Sequence, residues 1–264
     1  MTNLWYPSVK QSPLSMSGMG GLSGSLAFGG GCVGEGGSNR YDGNDATQIS
    51  GSGATAFELS SSSFCIECYI MFKVDTYPGS YRSIWHRWGN TGLRAQAHTY
   101  KFGEDNFGLA CWFHANNGSN KSFTIENLFD PLMDKWYHIA WVRHGTSTNQ
   151  FRIHVNGTAV WTDDWSGTQT GNAEPLAWGG REDTSSYDSN QFMSNCRYVV
   201  GNAVYPNAST ITVPNTLLTA VSGTKFLGMQ STTDANAGTS PANTTITTKR
   251  GSPTPSDENP FDTF

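Results

Sequence analysis

The chain has 264 residues, of which 14% are charged and 12% aromatic, with 30 glycines and a formal net charge of −5. That length suits one large all-β domain with extensions or two small domains, and the abundance of Ser, Thr, Asn and Gly favours strands and turns over helices built on Ala, Leu, Glu and Lys. Its 16 lysines and arginines are scattered, adjacent only at Lys249-Arg250, which argues against the dense cationic footprint of a nucleic-acid binder, and no apolar run is long enough for membrane insertion.

Residues 1–40 open the chain as a glycine-rich arm. The initial MTNLWYPSVKQSPLSMSG has neither a basic segment nor an apolar core of the signal-peptide kind, which predicts synthesis and folding in a cytoplasm. The arm carries few side chains to bury, among them Trp5, Tyr6, Leu14, Leu22, Leu26 and Phe28. Its glycines raise the entropy lost on ordering, so it is expected either to order on a partner or to wrap its own domain.

From residue 41 the pattern becomes that of strands. In FCIECYIMF, Phe64, Ile66, Cys68, Ile70 and Phe72 alternate with Cys65, Glu67, Tyr69 and Met71, predicting a long strand with one strongly apolar face. Cys65 and Cys68 then point to opposite faces, so this C-x-x-C reads as two small buried hydrophobes, and the five cysteines overall show no disulfide-rich spacing. Further strands are predicted at YRSIWHRW, LRAQAHTY, FGLACWFHA, KSFTIENL, KWYHIAWVRHG and NQFRIHVNG. In KWYHIAWVRHG, Trp136, His138, Ala140 and Val142 share one face, which leaves His138 on a sheet with no catalytic partner at a recognised spacing. In FRIHVNGTAVW, Phe151, Ile153 and Val155 face one way and Arg152 and His154 the other, and Asn156-Gly157 predicts a type I′ hairpin turn. Turn residues recurring at roughly 8–15-residue spacing argue for a two-sheet antiparallel sandwich or jelly roll. From 232 to 264 the chain is polar and proline-containing, ending in NPFDTF with Phe261 and Phe264, and reads as a tail.

Three of these segments, FCIECYIMF, WYHIAWVR and FRIHVNGTAV, resemble the laminin G-like branch of the concanavalin A-like lectin and glucanase sandwiches over roughly residues 40–230. Residues 193–232, with GNAVY, VPNTLLT and TKFLGMQS, together with the terminal Asn-Pro-Phe of 259–261, resemble segments of virion proteins of marine and cyanobacterial tailed phages. Cys196 and Tyr198 stand where that pattern has plain aliphatics. The resemblance implies a β-sandwich displayed on a phage particle and implies no reaction.

The residues themselves give no catalytic set. Retaining glucanases on such sandwiches hold two carboxyls on one strand face about 5 Å apart, in a Glu-x-Asp-x-x-Glu string that does not occur here. The six histidines lack zinc-ligand spacing, and no Gly-x-Ser-x-Gly elbow is present. Calcium is the ion that the resemblance makes most plausible; Asp163, Asp164, Asp183 and Asp188 are its loop candidates, with solvated loop acids the favoured alternative. Trp85, Trp88, Trp161, Trp165 and Trp178 lie amid Asp, Asn and Arg, a pattern that serves sugar stacking as well as core packing.

The expectation is therefore a non-enzymatic virion protein, foremost a capsid decoration protein on the head exterior. Its arms, through Trp5, Tyr6, Leu14, Leu22, Leu26, Phe28, Phe261 and Phe264, would dock on the major capsid protein or another virion protein, with homo-oligomerisation open. A tail-associated adhesion protein recognising host-surface polysaccharide is the alternative, and a glycoside hydrolase a distant third.

Overall fold

Strand β3 (Phe64–Phe72) is central to the nine-stranded sheet of a two-sheet antiparallel sandwich. The computed structural model describes residues 36–73, 81–88, 94–101, 106–129, 134–170, 173–181 and 184–261, and for Trp88 and Lys101 the backbone alone. The first sheet runs β10 (Thr158–Asp163), β9 (Phe151–Val155), β8 (Trp136–Arg143), β3, β12 (Asn190–Val200), β1 (Ser38–Asp42), β16 (Thr254–Ser256). Strand β13 (Thr224–Gly228) also pairs with β12 and carries β14 (Gly238–Thr239). The second, seven-stranded sheet runs β15 (Thr245–Arg250), β2 (Ala46–Ser50), β11 (Leu176–Trp178), β4 (Tyr81–Trp88), β5 (Arg94–Lys101), β6 (Phe107–His114), β7 (Lys121–Phe129). Helix among the described residues is confined to two 3-10 turns, Ser52–Phe57 and Ser185–Tyr187.

The alternation in β3 is realised side chain by side chain. Phe64, Ile66, Cys68 and Ile70 lie fully buried between the sheets, while Cys65 joins a second apolar cluster with Ala140, Val142, Val199 and Ile211 on the outer face of the nine-stranded sheet. Tyr137, Ile139 and Trp141 of β8 and Phe151, Ile153 and Val155 of β9 complete the inner layer. Large rings dominate this core: Trp85 meets Trp141 edge to face at 5.6 Å, and Phe113 meets Phe151 likewise at 5.0 Å. Such burial makes aromatic truncation here cost about 3–5 kcal/mol.

The predicted hairpin forms with φ of 48° at Asn156 and 82° at Gly157, the left-handed pair that a type I′ turn needs. Glycine is required at 157 for a second reason: a Cβ there would lie 2.6 Å from the Ile211 carbonyl oxygen. The chain crosses close by, and the Ile211 amide donates to the Gly157 carbonyl oxygen at 2.8 Å.

Residues from 232 onward are not a bare tail. TITTKR pairs along β2 at the edge of one sheet, and Thr254–Ser256 pairs along β1 at the edge of the other, so the C-terminal stretch laces both sheets together. Edge pairing uses backbone groups and tolerates exposed Thr and Lys, so the segment's low apolar content is no bar to it. At the other end β1 begins at Ser38, inside the stretch read as an arm; Trp5, Tyr6, Leu14, Leu22, Leu26, Phe28 and Phe264 lie outside the described residues.

Candidate functional site

Outward-facing residues of β3, β8 and β12 form the most polar buried constellation on the outer face of the nine-stranded sheet. Glu67 on β3 has no exposure. One of its carboxylate oxygens accepts from Arg197 Nε at 2.8 Å and Nη2 at 2.6 Å; the other accepts from the Tyr205 hydroxyl at 2.6 Å and lies 3.1 Å from His138 Nε2. Burial alone would push the Glu67 carboxyl up, but the His138 hydrogen bond, then Arg197 and Tyr205, outweigh it and hold the group below the ordinary carboxylate range. The Glu67 charge in turn raises Arg197 against the opposing effect of its burial.

This constellation arises where β12 departs from regular pairing. Opposite β3 its register shifts between Ser194 and Arg197, and Asn195 takes a φ of 52°. That bulge sets Arg197 beside Glu67 and turns the Asn195 amide outward, where its oxygen accepts from the Leu218 amide at 2.8 Å and from Gln230 at 2.7 Å. Residues 201–223 lie as an irregular cover over the face, tied at Tyr205 to Glu67, at the Thr219 carbonyl to Arg197 Nη1 at 2.7 Å, and at the Pro214 carbonyl to the Tyr69 hydroxyl. A carboxylate with four donors and no exposure can fasten this cover, but it offers substrate no lone pair and no approach.

Beside the cover the same face opens into a cleft of about 730 Å³. Tyr69, Met71, Trp136 and His138 form its strand-borne floor, Val213–Asn215 one wall, and Glu258, Pro260 and Phe261 another. Phe261 packs edge to face on Tyr69 at 5.3 Å. At one end Lys73 pairs with Asp134 at 2.9 Å, and Lys135 and Asn156 complete the rim. The His138 ring thus belongs to both places, and its Nδ1 is buried without a hydrogen-bond partner.

Three of the tryptophans considered for sugar stacking are not surface platforms. Trp85, Trp165 and Trp178 are 0%, 1% and 0% exposed, sealed within the core by neighbouring rings. Trp161 is half-buried, with one face stacked on Phe123 at 3.9 Å; the Trp88 side chain lies outside the described residues. Trp85, Trp165 and Trp178, so covered, cannot present a face to a pyranose. Trp136, which does line the cleft, carries no signal in the sequence beyond its place in a strand.

The aspartates considered for calcium are held by cations. Asp163 and Asp164 contact Lys121 Nζ at 2.7 and 3.1 Å, and Asp188, fully buried, is gripped by Arg250 at 2.5 and 3.0 Å. Asp183 lies outside the described residues, among which no group of three or more His, Cys, Asp or Glu could hold a metal ion. Asp163 and Asp164 thus share one lysine cation, while Asp188 has an arginine partner of its own.

A family model described as the concanavalin A-like lectin/glucanases superfamily, of the laminin G type, matches residues 42–192. The chain belongs to this superfamily. No curated protein sequence matches it. Among solved structures, this laminin G-like sandwich is similar to the native heptameric SAP-like pentraxin of Limulus polyphemus, at 12% identity over 62% of this chain and 76% of that one, with a TM-score of 0.44. It is similar to domains LG4-5 of the mouse laminin alpha1 chain at 10% identity over 76% of this chain and 48% of that one, TM-score 0.42. It is similar to the enzymatically active domain of tailspike protein 2 of bacteriophage CBA120 at 8% identity over 54% of this chain and 22% of that one, TM-score 0.37.

Proposed function

We propose that this laminin G-like sandwich is a non-enzymatic structural protein of a tailed-phage virion, foremost a decoration protein on the capsid exterior, made in the host cytoplasm. The observation that carries the non-enzymatic reading is the sealing of Glu67. The carboxylate nearest to an imidazole, which is where acid–base chemistry would be sought, is fully buried and accepts from four donors, and it fastens residues 201–223 to the sheet. What remains for function is surface. The phage assignment is supported by the resemblance of residues 193–232 to virion segments, and those residues supply most of β12, the cover and β13.

Docking would run through the N-terminal segment, where Trp5, Tyr6, Leu14, Leu22, Leu26 and Phe28 can be buried against the major capsid protein or another virion protein. Phe261 has a second role here, since it walls the outer-face cleft of its own domain. Deleting residues 1–30 is expected to abolish incorporation into particles while the sandwich keeps its thermal transition; unchanged incorporation contradicts this docking. Copy number by quantitative mass spectrometry of purified virions tests the location: many copies per particle, on the head by immunogold, fit decoration, whereas a handful near the tail do not.

The open cleft favours one second reading, a tail-associated adhesion protein that recognises host-surface polysaccharide. Few copies per particle, together with a glycan-array signal, would select it.

A further inference from the structure

Strand β3 is paired on both sides where it floors the cleft, and β8 pairs with β3 there and with β9 from Ile139 onward, so recognition is sought in the side chains that line the cleft. The volume of about 730 Å³ is in the range that holds a small ligand or a few residues of peptide. The lining is chiefly apolar and includes Met71, Trp136, Phe261 and two prolines. Methionine adapts its shape to varied apolar occupants, and prolines present fixed hydrocarbon surfaces. Its charged groups are two cations, Lys73 and Lys135, and two anions, Asp134 and Glu258, so the lining is neutral and repels neither sign while favouring an uncharged occupant. Asn215 and Asn156, the latter with its Oδ1 already accepting from the His138 backbone amide at 2.9 Å, are exposed on the rim and have amide groups able to meet peptide N–H and C=O groups.

His138 supplies the second, independent sign of a ligand. Its residue exposure is 1%, its Nε2 faces the Glu67 carboxylate at 3.1 Å, and its Nδ1 has no partner. A carboxylate accepts and does not donate, so the hydrogen on this imidazole sits on Nε2, and in the neutral ring Nδ1 is an acceptor without a donor. Buried polar atoms left in that state are unfavourable, and a ligand that brings a donor relieves the deficit. A saccharide could bring hydroxyl donors, but it needs many polar partners at once, and this lining has few.

From these features we propose that the outer-face cleft is a docking site for an extended, uncharged peptide segment of a partner protein, which inserts a tryptophan between Trp136 and Phe261. The inserted indole stacks in the apolar part of the cleft, and its N–H is the donor for His138 Nδ1, reached by a small displacement of the overlying Tyr69 ring. Asn156 and Asn215 hold the flanking main chain. The site does not depend on where the protein is located, in a virion or elsewhere.

The test uses the full chain and blocked peptides of sequence Gly-Ser-Pro-Trp-Pro-Ser-Gly, with the central residue also changed to Phe or to Lys, and a neutral glucohexaose as the competing class. Titration is followed by calorimetry and by amide chemical shifts. The tryptophan peptide is expected to bind saturably, at least tenfold tighter than the lysine peptide and several-fold tighter than the phenylalanine peptide, with shifts confined to the cleft. Phe261→Ala, a half-buried residue near the end of the described chain, is expected to weaken binding at least tenfold with an unchanged thermal transition. Trp136→Ala should do the same, and if that variant fails to fold, Phe261→Ala decides alone. Absence of saturable peptide binding, full binding to Phe261→Ala, equal affinity for the phenylalanine peptide, or saturable glucohexaose binding lost in Phe261→Ala would each overturn the proposal.

Discussion

The ionic cluster at Glu67 and the cleft at Trp136 occupy the same outer face of the same sheet and share strands β3 and β8 and the His138 ring, yet one is closed and the other open. What differs is the layer above. Over Glu67 the chain of 201–223 lies down and is held by side chains of β3 and β12; beside it Val213–Asn215 and the C-terminal Pro260-Phe261 wall a trough. Buried charge marks the closed region, whereas the open region combines apolar walls with charged and amide groups at its rim. In this sandwich, buried charge fastens a loop, and the apolar surface left uncovered lies beside it in the cleft.

The sharpest way to break the comparison is to remove the fastening. Glu67→Ala leaves the Arg197 guanidinium buried without its carboxylate, and the expected destabilisation is about 3–5 kcal/mol, read from chemical denaturation. A smaller effect, about 1.5–3 kcal/mol, is expected for Tyr205→Phe, which removes one hydroxyl donor to the carboxylate and keeps the ring. The pH dependence sharpens the same point. Glu67 is held below its ordinary value in the folded state, so its contribution is fully present above the unfolded carboxyl pKa and fades as pH falls through the lower, folded value. Stability of the wild-type chain should therefore decline on acidification by more than that of Glu67→Gln, and parallel declines would contradict this assignment. Least is expected at the exposed pairs: Lys121→Ala, which frees Asp163 and Asp164, should cost about 0–1 kcal/mol in a thermal scan.

Much of the fold could be read locally, because a strand's two faces alternate within a few residues. Phe64 to Phe72, Trp136 to Arg143 and the Asn156-Gly157 hairpin all lie as their patterns dictate. The ionic cluster could not be read that way. Glu67 lies 71 residues from His138, 130 from Arg197 and 138 from Tyr205, and those distances are closed only by sheet register and by a bulge at Asn195. One signal was present: a lone glutamate inside FCIECYIMF must find buried partners if its strand has neighbours on both sides. The tryptophans misled for a related reason, since Trp165 and Trp178 sit among Asp, Gly and Asn in the chain and among aromatic rings in space. β15 and β16 were hidden because edge strands are specified by backbone pairing more than by apolar pattern.

Hydrogen exchange tests the central claim most directly, by comparing the amides of residues 201–223 in the wild-type chain and in Glu67→Gln. If the cluster is a clasp, protection is lost across 201–223 in the variant while β3, β8 and β9 keep theirs. Protection of 201–223 unchanged by the substitution would contradict the account.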